Sequence, residues 1–98
     1  MMQELSYRIA MTIFAIISNV PNPKLSDAVR NVYPNDHMTL AEGTQWLVSA
    51  KDTAVNVSEK LGLGQEGASG SGMVLGVSSY YGRASVNVWE WMKVKWDG

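Results

Sequence analysis

Apolar residues recur along this chain in several rhythms, and each rhythm predicts a different element. Residues 4–18, "ELSYRIAMTIFAIIS", can be placed on a wheel at about 100° per residue. Leu5, Ile9, Ile13, Ile16 and Ile17 then fall on one side and Tyr7, Met11 and Phe14 on another, leaving Glu4, Arg8 and Thr12 as a narrow polar edge. This predicts a first helix that is apolar around most of its circumference. Such a helix is either central to a core or shared with a second copy, and in a chain of 98 residues sharing is the expectation.

A second helix is signalled more sharply. Asn22 stands at a cap position, Pro23 follows where its missing N–H costs nothing, and Leu25, Ala28, Val29 and Val32 keep i, i+3, i+4, i+7 spacing up to Pro34. After the turn-forming "PNDH", Met38–Leu40 and Gln45–Ala50 read as strands joined near Glu42 and Gly43, a hairpin. Asp52 or Thr53 then starts a third helix with Ala54, Val57 and Leu61 inward. Gly62 closes it in a left-handed cap, and Leu63 folds back onto Val57.

Five glycines between Gly62 and Gly72, with no apolar periodicity, read as a mobile surface loop. Met73–Tyr81 alternates as a strand, with Met73, Leu75, Val77 and Tyr81 on one face and Gly76 on the other, where a helix backbone can approach. Ser85 caps a last helix that runs to about Trp96. The expected fold is α+β in two layers, a single domain over residues 1–98. Two N-terminal helices precede a small mixed sheet, which holds a β-hairpin and one right-handed βαβ unit with its long strands parallel, and a C-terminal helix follows.

Composition narrows the chemistry. Eight Lys and Arg against nine Asp and Glu give a net charge of -1, so no long-range field favours nucleic acid or an anionic membrane. Cysteine is absent, which removes disulfides, thiolate nucleophiles and cysteine-based metal sites. The most apolar run, Ile9–Ile17, is far shorter than the roughly 20 residues a spanning helix needs. No small-x-small cleavage site follows it, so a cytoplasmic chain is expected.

Gly62, Gly64 and Gly67 spell a G-x-G-x-x-G, but the motif follows a helix and leads into a strand, the reverse of a dinucleotide site. His37 is the single histidine. Beside Asp36, with Asp27 or Glu42 at a distance, it can be imagined as a site, yet Asn-Asp-His after a proline reads first as turn chemistry. Neither G-x-S-x-G nor S-x-x-K occurs. No enzyme activity, cofactor or metal is expected.

The aromatic ending, "YYGRASVNVWEWMKVKW", carries the functional expectation. On the last helix Val88, Trp89, Trp91, Met92 and Trp96 share an arc of roughly 160°, with Glu90 and Lys93 opposite. Three indoles on one face imply core or interface, more area than one small sheet covers. Tyr80, Tyr81, Arg83, Trp89, Trp91, Lys93 and Trp96 are the expected partner-binding residues. Arg83 stands in the "YYGRA" turn between strand and helix, where Gly82 allows a tight bend. Alternatively, Arg83 lies over Tyr80 or pairs with Glu90.

The segments "WLVSAKDTA", "VSEKLGL", "SSYYGRA" and "VWEWM", between Trp46 and Met92, resemble short uncharacterised proteins of phages and prophages. That resemblance implies an accessory protein, of a kind that often acts by binding and blocking a host component, and it carries no activity, cofactor or catalytic residue to transfer. The residues themselves lead to a non-enzymatic protein acting by protein–protein contact. It is expected to form a homodimer and to take a heterologous protein partner. The rival class is a small nucleic-acid binder using Tyr80, Tyr81, Arg83 and Lys93.

Overall fold

In the computed structural model, which describes residues 11–63 and 67–96, Thr12–Ile17 form a strand, β1, that crosses the middle of the molecule. Hydrogen bonds join it on one side to β3 (Gln45–Ala50) and on the other to β4 (Met73–Val77), both antiparallel. β2 (His37–Ala41) completes the sheet as the hairpin partner of β3, so the strand order is β2-β3-β1-β4. Gly43 takes a left-handed φ of 82° in the hairpin turn, the conformation in which glycine carries no steric penalty.

Helices cover both faces. Helices α1 (Pro23–Val32) and α2 (Ala54–Lys60) lie on one side, where Leu25, Val29, Val57 and Leu61 bury Phe14, Ile16, Trp46 and Val48. On the other side α3 (Val86–Trp96) brings Met92 onto Ile13 and Leu47, with Ala15, Val77, Val88, Trp91 and Trp96 packed around them. Alternate side chains of β1 therefore serve two separate cores.

Several expectations are overturned here. Within the segment expected as a first helix, residues 12–17 are a strand, while residues 4–10 lie outside the described residues. A strand buried on both faces is a continuous apolar run, and on a helical wheel it looks apolar all round. The β-branched Thr12, Ile13, Ile16 and Ile17 favour the strand. The sheet is antiparallel throughout, not mixed, and has no βαβ unit of paired parallel strands. β3 and β4 do run in the same direction, but β1 is inserted between them and opposes both. The architecture is α+β with helices on two faces, not a two-layer stack behind two N-terminal helices.

β4 also stops at Val77, short of the expected Tyr81. A Cβ on Gly76 would meet only ring carbons of Phe14, at 3.8–4.0 Å, so that glycine faces an aromatic ring and not a helix backbone. No helix among the described residues is long and apolar enough to cross a membrane.

Local chemistry fixes the helix ends. Asn22 accepts from the Leu25 N–H at 3.1 Å, as a cap should, and its Nδ2 donates to the carbonyls of Ser69 (2.8 Å) and Ser71 (3.3 Å). This clamp, with Ser69 N–H to Gly62 carbonyl at 3.0 Å, anchors residues 67–72, so that part of the glycine segment is tied down and not a mobile loop. Gly62 has φ 77°; its N–H donates to Glu59 and the Leu63 N–H to Ser58, both at 3.0 Å, the paired pattern of a Schellman end. Asp52 accepts from Lys60 Nζ and from the Thr53 N–H, each at 2.8 Å, joining the two ends of α2.

Two expectations follow from these contacts. Asn22→Ala removes the cap and both loop bonds and should cost about 1–2 kcal/mol in urea unfolding. Asn22→Asp, which keeps only the acceptor, should fall between the two; equality with wild type would mean the loop bonds contribute nothing. The Lys60 hydrogen bond first, then that of Thr53, lowers the Asp52 carboxyl from 3.8 to about 2. A folded-state pKa below the unfolded one gives stability that is complete above about pH 4 and disappears as pH falls toward 2. The difference in melting temperature between wild type and Asp52→Asn should close over that window, and a difference unchanged at pH 2 would contradict the pairing.

Candidate functional site

The chain leaves β4 at Val77, passes through residues 78–85 without regular structure, and enters α3 where the Ser85 carbonyl accepts from the N–H groups of Val88 (3.1 Å) and Trp89 (3.3 Å). The Ser85 hydroxyl itself donates to Asn87 Oδ1 at 2.6 Å. Helical spacing then sorts the side chains. Val88, Trp91, Met92 and Trp96 turn to the sheet, while Val86, Glu90, Lys93 and Val94 face solvent.

Trp89 and Trp96, seven positions apart, stand on one flank of α3, and Tyr80 folds back between them. Its ring stacks on Trp89 (centroids 5.6 Å, planes 25° apart) and meets Trp96 edge-on (4.8 Å, 71°). This three-ring clasp holds the start of the connection against the helix. The next residue, Tyr81, is left wholly in water at 101 % exposure. Gly82 follows with φ 143°, and Arg83 is exposed beyond it.

Charge is sparse around the clasp. Lys95 pairs with Asp36 at 2.8 Å, tying the last turn of α3 to the approach of β2. Arg83 and Lys93 form no ion pair among the described residues, and with Glu90 nearby on the helix they leave a surplus of about one positive charge.

Of the seven residues expected to bind a partner, the structure gathers Tyr80, Trp89 and Trp96 into the clasp. It places Trp91 against the sheet and leaves Tyr81, Arg83 and Lys93 in solvent. Arg83 does not pair with Glu90. Met73 and Leu75, 56 % and 46 % exposed, and Val94 on the outer face of α3 add apolar surface that the aromatic pattern does not point to. For the two β4 residues the signal is the absence of charge from Gly67 to Gly82 around an alternating apolar strand.

Other candidates dissolve into local structure. His37 Nδ1 lies 2.6 Å from the Tyr33 carbonyl. Asp27 pairs with Arg30 at 3.0 Å, and with Glu42 it lines a trough between α1 and the β2–β3 turn that His37 does not reach. No three His, Asp or Glu side chains converge among the described residues. Gly64 of the G-x-G-x-x-G lies outside the described residues; Gly62 is the helix cap, and the Gly67 carbonyl accepts from Gly70 at 3.4 Å.

If the clasp orders the connection, Tyr80→Ala should shift tryptophan emission to the red and cost about 1–2 kcal/mol, while Tyr80→Phe should change neither. An unchanged emission maximum in the alanine variant would remove the clasp from the account. No family model, curated protein or solved structure matches this chain.

Proposed function

We propose that this chain is a non-enzymatic accessory protein of the phage type. In this reading it works in the cytoplasm by contact with a host protein, self-associates, and presents Tyr81 and Arg83 as its recognition residues with Lys93 at the rim. The observation that carries the reading is the complete exposure of Tyr81 on a connection whose base is held by stacked rings. An aromatic ring left in water forgoes the stabilisation of burial, whereas a tyrosine two positions from an arginine, on a turn whose base is held by Tyr80, has the composition of an interface hot spot. Preorganisation by the Tyr80 clasp lowers the ordering entropy of binding.

The nucleic-acid reading uses the same residues but lacks the charge. Lys95 is engaged by Asp36, and the chain as a whole carries a net charge of -1. A photo-crosslinking residue at position 81 should give discrete protein adducts in cells. Arg83→Ala should reduce them by about tenfold, and the same probe at position 24 on α1, across the sheet, should give none. Equal adducts at both positions would sink the proposal. So would tight binding of a labelled single-stranded 20-mer whose affinity falls steeply with salt.

A further inference from the structure

Among the described residues β4 is an edge strand whose one face is flanked by α2 and whose outer side no strand covers. The order β2-β3-β1-β4 leaves one of its sides unpaired among the described residues. Natural edges are blunted by lysine, proline, bulges or a covering element. The opposite edge has such protection: the β2–β3 ladder shifts register between Thr39 and Ala41, and the Lys95–Asp36 pair brings α3 beside it. β4, with the sequence Met-Val-Leu-Gly-Val, has no charge, no proline and no register shift. The stretch from Gly67 to Gly82 around it is also free of charge.

The free backbone groups can be identified. The Ser18 N–H donates to the Thr44 carbonyl at 2.8 Å, so Ser18, and by alternation Ile16 and Phe14, point their backbone groups at β3. Ile13, Ala15 and Ile17 therefore point theirs at β4, where they oppose Val77, Leu75 and Met73. Val74 and Gly76 are left with N–H and C=O directed outward, and the exposure of Gly76, which has no side chain, shows that this backbone is open to solvent.

We infer that the surface of self-association is this edge, and that its occupant is β4 of a second copy, paired antiparallel across a twofold axis through Leu75. The inference rests on the self-association in the reading above and is independent of the Tyr81 surface. The register that pairs all five residues sets Val74 against Gly76 of the second copy and Gly76 against Val74, giving about four hydrogen bonds. On the face carrying α2, a β-branched side chain then meets a glycine, so the two copies do not compete for space. On the face carrying α3, Leu75 meets its own copy and Met73 meets Val77 of the second copy. The apolar residues left half-exposed in one chain form a continuous ladder in two. No like charges oppose one another, and the result is an eight-stranded sheet built from two of four.

Sedimentation of the full chain over a roughly hundredfold concentration range should show a monomer–dimer equilibrium. Leu75→Lys and Leu75→Glu each place like charges on the axis and should each weaken the dimer by at least about 100-fold. Circular dichroism should be unchanged, because Leu75 is half-exposed in the single chain. Mixing the two variants should restore a dimer of one copy of each, an outcome specific to a position that faces itself. A wild-type chain that stays monomeric throughout overturns the inference, as does a dimer that survives both substitutions, or variants that do not recombine. None of these results alters crosslinking at position 81, and Tyr81→Ala with Arg83→Ala should leave the dimer intact, so the two proposals fail separately.

Discussion

Burial of β1 on both faces is the constraint from which the rest of the molecule follows. Ile13, Phe14 and Ile16 are almost without solvent contact, and they achieve this only because α1 and α2 cover one side of the strand and α3 the other. Each buried side chain of this size is worth about 1.5–3 kcal/mol, so stripping either helical layer would cost more than a small domain can spare. Both neighbours of β1 are antiparallel to it, and the strand contributes inward groups to two ladders at once. Flanked by strands along both edges, its backbone satisfies its hydrogen bonds within the sheet.

The same arrangement decides where surface is left for other molecules. α3 lies over β1 and β2 more than over β4, so it protects Ile13 and Leu47 and leaves Met73 and Leu75 uncovered. Its flank carries Trp89 and Trp96, and Tyr80 closes on these two rings instead of on the sheet. Two distinct surfaces result. One is a rigid aromatic shoulder with Tyr81 standing off it, and the other is an uncharged strand edge. They adjoin through residues 78–85, which lead from the strand edge to the aromatic shoulder.

Much of the local structure was legible in the residues. Asn22 and Pro23 mark the start of α1, Gly43 the hairpin, and Gly62 with Leu63 the end of α2, because caps and left-handed turns depend on a few neighbouring backbone groups. The arc of Val88, Trp89, Trp91, Met92 and Trp96 likewise located the sheet-facing side of α3, except that Trp89 turns aside to Tyr80. The Tyr80 clasp was not legible, since stacking depends on where the chain leaves β4, and alternation alone carried the strand to Tyr81. For the same reason Tyr81 was set on the strand face of Met73, Leu75 and Val77, whereas it stands beyond the strand in solvent.

By itself, then, the sequence determined the helix caps, the hairpin, the exclusion of cysteine chemistry and the aromatic face of the last helix, all of which follow from residue type and short spacing. Tertiary structure decided that residues 12–17 are a strand, that this strand separates β3 from β4, and that helices lie on two sides. The reason is physical. An apolar run satisfies a buried helix and a doubly covered strand equally well, and only the layers that close over it choose between them.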